Sequence, residues 1–180
     1  GLETLAQYAI WSKSVFLDGL YCTHIGRRTY ERSDPTLKNA YDLNNEVIAY
    51  RFDNTHPEDR SRVLFSCHID TMHRSEPDRA FQEVYVDSLT NQAFVSDSDD
   101  CLGADDGAGV YLLLEMIERG VHGCFIFHRG EEKGGIGSRA MVRDHSDWLS
   151  TFTHAIAFDR RGARSIITHQ GMNRGASDKC

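Results

Sequence analysis

The chain carries 20 Lys+Arg against 27 Asp+Glu over 180 residues, a formal net charge of −7 at pH 7, with 40% hydrophobic residues. At roughly 100–200 residues per domain this is one domain with one core, and its acidic balance excludes a groove built to neutralise phosphates, so no nucleic-acid partner is expected. Five cysteines (22, 67, 101, 124, 180), odd in number and without CxxC spacing, read as reduced thiols in a cytoplasmic compartment, and apolar segments such as 109–116 fall far short of the ~20 residues that span a bilayer, so no membrane partner is expected.

Residues 2–16 place Leu2, Leu5, Ala9, Ile10 and Val15 at near-helical spacing, which predicts a helix within residues 1–20 that covers a sheet face. Residues 21–45, rich in Arg, Asp, Asn and Thr, read as a long connection with short extended pieces. Alternation over 45–52 and the apolar run RVLFSC at 62–67 predict two strands, the second more deeply buried, separated by the charged turn NTHPEDRS. EVYV and QAFV, split by DSLTN, predict a hairpin over or beside the main sheet. Val110, Leu113, Leu114 and Ile117 stand at i, i+3, i+4 and i+7 before Gly120, so a helix is expected over 107–119. GCFIFH at 123–128 reads as a buried strand, 136–143 as a helix, AIAF at 155–158 as another buried strand and SIITH at 165–169 as a further one. Strands apolar on both faces that alternate with helices predict an α/β fold: a three-layer αβα domain over 1–180 with a mixed, mostly parallel central sheet.

Ligands of open α/β sheets gather beyond the carboxyl ends of the strands. His68 and Asp70 follow one predicted strand in CHIDT, Asp105 and Asp106 open the helix in GADDGAG, Glu131 and Glu132 follow a strand in HRGEEKGG, and Asp159 follows another in FDRRG. Each placement alone has a plain reading as a satisfied polar residue, a helix-start carboxylate or a solvated loop. Together they bring so many negative charges to one edge that a cation is needed to offset their repulsion. One imidazole with several carboxylates suits Zn²⁺, Mn²⁺ or Co²⁺ rather than a thiolate site. His68 and Asp70, two apart on an extended segment, share a side, so Asp70 can hold the second ring nitrogen of His68 and fix its tautomer. On a tight turn one of Glu131 and Glu132 can ligate a metal while the other faces a metal-activated water as general base. GADDGAG lacks the third glycine of a dinucleotide fingerprint and the lysine of a phosphate loop, and Leu102 stands where a calcium loop needs glycine.

The segments CHIDT, LGADDGAG, HRGEEKGGIGS and IAFDRRG, followed by SIITHQG and the pair Ser177–Asp178, resemble in order the co-catalytic zinc peptidases of the M20/M28 type. The resemblance runs from Arg62 to Asp178, and the separation of 27 positions from Glu132 to Asp159 is of the family's sort. It implies a metal-dependent hydrolase of peptide or related amide bonds, an exopeptidase such as an aminopeptidase, acting on a peptide or N-acyl amino acid. By it, His68 and Asp159 ligate a first zinc, Asp105 bridges to a second, Glu132 ligates the second, and Glu131 is the general base, with Asp70 beside it in the catalytic set. Asp106 is then a structural carboxylate at the helix start.

The resemblance departs at one point. The family's last ligand, a histidine on the second metal, comes from beyond the Ser-Asp phrase, and His169, His128 and Cys180 are poor substitutes. The first site therefore keeps three protein ligands and the second only Asp105 and Glu132. The chain is accordingly expected to be a fragment, a split half or a remnant of such a peptidase, active as a hydrolase or, alternatively, inactive or complementation-dependent with at most one metal. An apolar sheet edge or face is expected where a missing C-terminal segment would pack, with self-association in its absence.

Overall fold

A computed structural model describes residues 40–43, 46–53, 55–56, 58–72, 84–95 and 101–177. Among these run β1 (Ala40–Leu43), β2 (Glu46–Asp53), β3 (Val63–His68), β4 (Val84–Asp87), β5 (Gln92–Val95), α1 (Ala104–Glu118), β6 (Cys124–His128), α2 (Ile136–Asp144), the single turn α3 (Ser146–Leu149), β7 (His154–Ala157), β8 (His169–Gln170) and β9 (Asn173–Arg174). The central sheet has the order β1-β2-β6-β3-β7. Its first two pairings, β1–β2 and β2–β6, are antiparallel; β6–β3 and β3–β7 are parallel. Strands and helices together make the mixed α/β fold expected from the alternating pattern.

The residue pattern explains the layering. β6 is apolar at every interior position because it lies between β2 and β3 and is covered on both faces. Phe125 and Phe127 point to one face, where they meet Phe65, Cys67, Tyr50 and Phe52 under the Val110, Leu113, Leu114 and Ile117 stripe of α1. Cys124 and Ile126 point to the other, where Ala49 and Leu64 complete the floor beneath Ala140 and Met141 of α2 and the Trp148, Leu149 and Phe152 segment. Each fully buried Phe or Leu contributes roughly 1.5–3 kcal/mol through removal from water. α1 stops where Gly120, at φ 71°, turns into the left-handed region and donates its N–H to the Ile117 carbonyl at 3.0 Å. No helix among the described residues is long and apolar enough to cross a membrane.

Two expectations need correction. AIAF was expected as a buried strand, yet β7 is exposed along its whole length, because it pairs with β3 on one side and no described strand or helix covers it. SIITH was expected as a strand, but 165–168 take no regular structure, and only His169 and Gln170 pair, with β9, across a tight turn containing Gly171 at φ 60°. Ile166 is consequently 81% exposed. The hairpin at 84–95 forms as expected, as its own two-stranded sheet. The expected helix within 1–20 and Asp178 lie outside the described residues.

Candidate metal centre

The parallel strands β6, β3 and β7 all end at one edge, and each hands a polar segment to it. β3 ends on His68, in ladder register with His128 at the end of β6. β7 continues through Phe158, whose N–H donates to the Ser66 carbonyl at 2.9 Å, and so carries Asp159 up beside His68. Asp105 and Asp106 come from the start of α1, where neither has helical backbone angles and the peptide bond between them is cis.

His68 is 2% exposed. Its Nδ1 lies 3.0 Å from the main-chain carbonyl oxygen of Asp70, and a carbonyl only accepts, so Nδ1 carries a proton. Nε2 is thereby the nitrogen presented to the cluster, 3.0 Å from Asp105 Oδ1 and 3.6 Å from Asp159 Oδ1. Ligand atoms of His68, Asp105 and Asp159 all lie within 4.8 Å of one another, and this trio is the one such group among the described residues. The two aspartate side chains stay open, at 74% and 43% exposure, above the buried ring.

Asp70 works differently from the sequence reading. Its carbonyl is the closer partner of the His68 ring, with its carboxylate Oδ1 at 3.6 Å. The two carboxylate oxygens accept instead the backbone N–H groups of Glu131 and Glu132, at 3.1 Å each, so one residue ties the β3 end to the β6 loop. That loop is already tight: the amides of Gly134 and Gly135 donate to the Glu131 carbonyl at 2.8 and 2.9 Å. The Glu131 and Glu132 side chains are exposed and stand outside the His68–Asp105–Asp159 trio. No sequence signal announces the Asp70 contacts to Glu131 and Glu132, because the partners are main-chain amides that any residue type supplies.

Asp106 is buried, accepting the Gly109 N–H at 2.9 Å and the His68 N–H at 3.3 Å. Gly109 is required there, since a β-carbon would strike the Asp106 carboxylate and the Phe158 carbonyl. Without an ion the electrostatics show the crowding. Burial pushes the Asp106 carboxyl up to about 7. Burial alone would lower His68, but hydrogen bonds to Asp70 and Asp105 and the charges of Asp106 and Asp159 outweigh it and raise the ring to about 10. Burial and then the Asp105 charge raise Glu132; burial, with Asp105 and Glu131 adding to it, raises Asp159 against the pull of His68. Burial also works against Asp70, yet His68 and the two glutamate amides bring it to about 2. His128, desolvated and beside His68, falls to about 4.

An imidazole nitrogen and two carboxylate oxygens, borderline and hard donors with the ring tautomer set by Asp70, fit a single divalent ion of the zinc kind. The family model described as peptidase family M28 matches residues 47–179. A solved tripeptidase from Staphylococcus aureus subsp. aureus Mu50 shares the fold at a TM-score of 0.55 and 19% identity, over 89% of this chain and 43% of that one. The chain thus spans less than half the length of that relative. No curated protein matches the sequence.

Proposed function

We propose, from the premise that the chain belongs to peptidase family M28, that it is a metal-dependent hydrolase of peptide or related amide bonds. The observation that carries this reading is the buried His68 ring, its tautomer fixed, presenting Nε2 to Asp105 and Asp159. His68, Asp105 and Asp159 would hold a zinc ion, with Mn²⁺ or Co²⁺ as substitutes, and Asp105 and Glu132 are the groups available to a second. A bound divalent ion supplies Lewis-acid polarisation of a carbonyl and acidifies water.

The chain's own residues do the rest. Glu131 accepts a proton from the attacking water and passes it to the leaving amine. Its carboxylate is close enough for its charge to raise Asp159, and Asp105 likewise raises Glu132, which supports both glutamates serving this edge. Asp70 orients His68 through its carbonyl and the glutamate loop through its carboxylate. Short unblocked peptides head the substrate panel because the solved relative is a tripeptidase, with exopeptidase and aminopeptidase action as the first expectation and N-acyl amino acids next.

The test is hydrolysis of that panel by the zinc-loaded chain, with metal content measured by elemental analysis. Glu131→Gln is expected to abolish turnover and keep the metal; loss of metal instead would exchange the roles of Glu131 and Glu132. A second reading, in which the chain holds one ion and turns nothing over, is favoured by the single three-residue cluster among the described residues. One zinc equivalent with no hydrolysis anywhere in the panel would establish that second reading and overturn the first.

A further inference from the structure

The end of the sheet opposite the metal centre brings a second set of donors together. Asp53 at the end of β2 is in ladder register with Cys124 at the start of β6, so the β2–β3 connection and the α1–β6 connection meet there. The first carries His56 and Asp59, the second His122. Two hydrogen bonds close the 56–59 turn: the Asp59 N–H donates to the His56 carbonyl at 2.9 Å, and the His56 N–H to Asp59 Oδ2 at 2.7 Å. Asp59 Oδ1 is left facing His122 Nδ1 at 3.5 Å. The rings of His56 and His122 lie face to face, their centroids 5.5 Å apart and their planes 16° from parallel.

A formed N–H···O bond spans roughly 2.7–3.2 Å, so the His122–Asp59 contact is long for one. Two donors on one tetrahedral zinc, each about 2.0–2.2 Å from the ion, stand about 3.4 Å apart. A ring centre lies about 3.2 Å from a zinc that its nitrogen holds, which puts two such centres about 5.2 Å apart. Both contacts therefore have the spacing of ligands around one ion. As they stand the rings stack, and the three donors do not all fall within the 4.8 Å that His68, Asp105 and Asp159 share. Convergence needs rotation about χ2, a soft torsion in histidine that turns the ring plane and leaves its centre in place. The side chains have room for it, His56 being exposed and His122 54% exposed.

We propose that His56, Asp59 and His122 bind a divalent ion of the zinc kind, separate from the metal centre, which fastens the β2–β3 turn to the turn leading into β6. Two imidazoles and one carboxylate are a donor set that suits zinc, with water completing the tetrahedron. The His56 N–H that orients the Asp59 carboxylate is the outer contact such a ligand needs, and it is the main reason the carboxyl is held below its ordinary range.

The experiment is an NMR titration of the full 180-residue chain with Zn²⁺, run on Asp105→Asn/Asp159→Asn so that the first centre is silent. One equivalent is expected to bind, shifting the amides of 58–61 and 119–123 and the ring protons of His56 and His122. His56→Ala, Asp59→Asn and His122→Ala should each weaken binding by at least about tenfold, the least that loss even of a ligand's outer contact costs. Asp59→Asn keeps an acceptor for the His56 N–H, so its effect reads the ligand charge and not the turn. In the otherwise wild-type chain His122→Ala should remove one zinc equivalent, and the equivalents of the first centre are then counted on that variant. Absence of shifts in the two turns, or a wild-type stoichiometry that His122→Ala leaves unchanged, would overturn the proposal. So would binding that His122→Ala weakens while His56→Ala and Asp59→Asn leave it intact, since that is a lone surface histidine.

Discussion

β6 and β7 are both parallel neighbours of β3 and both mostly apolar, yet the first four residues of β6 are buried and all four of β7 are exposed. The difference is in their surroundings. β6 has strands on both sides and a helix layer on each face, whereas β7 has β3 alone among the described residues. Burial is thus a property of position in the sheet, and apolar composition only permits it. The metal centre straddles the two regimes: His68 comes from the packed interior, and Asp159 rides on the open edge. Phe158 links them, its ring stacked 6.4 Å from that of Phe65.

Four substitutions test this contrast. Phe125→Ala, at a fully buried position of β6, should cost about 3–5 kcal/mol in denaturant unfolding; a loss under about 1 kcal/mol would mean the interior is not packed as described. Gly109→Ala should cost about 1–3 kcal/mol, because the added methyl group must displace Asp106 or the Phe158 carbonyl. Since Asp106 accepts the His68 N–H, zinc affinity should fall with it, and unchanged affinity would separate the helix start from the centre.

Asp70→Asn should cost about 2 kcal/mol at neutral pH and weaken zinc binding about 10–100-fold. Its carboxyl is held at about 2 against an ordinary 3.8. The corresponding stability is therefore fully present above pH 3.8 and lost as the pH falls through about 2. Unfolding of the metal-free protein across that window should lose this component in the variant, and identical acid limbs would show that Asp70 does not contribute it. Ile156→Ala, on the exposed β7 edge, should change stability by about 0.5 kcal/mol or less. A larger loss would place a covering partner over that edge.

Much of this arrangement was legible in the sequence. The i, i+3, i+4, i+7 spacing from Val110 to Ile117 specified α1 and its buried stripe, and the runs ending at His68 and His128 specified the two strands that anchor the centre. Strand ends carrying His68 and Asp159, with Asp105 opening the helix, were enough to place those three at one edge. What the residues did not disclose depends on neighbours. Ile156 and Ile166 have the composition of buried positions and no described element to bury them. SDWL at 146–149 is too short for its periodicity to separate a helical turn from a loop. The Asp70 contacts to the glutamate loop escape for a different reason, since main-chain amides leave no trace in side-chain pattern. The roles of Glu131 and Glu132 stayed open in the sequence because adjacency alone does not say which carboxylate reaches where.

The grip on the glutamate loop has a mechanical consequence. Asp70 holds the amides of Glu131 and Glu132 while Gly134 and Gly135 hold the Glu131 carbonyl, so the peptide plane between the two glutamates is pinned at both ends. The glutamates stand like two arms on a fixed shoulder, and reach is set by side-chain length alone. Shortening Glu131 to aspartate withdraws its carboxylate by roughly 1.5 Å, one carbon–carbon bond, and the backbone has no slack with which to follow.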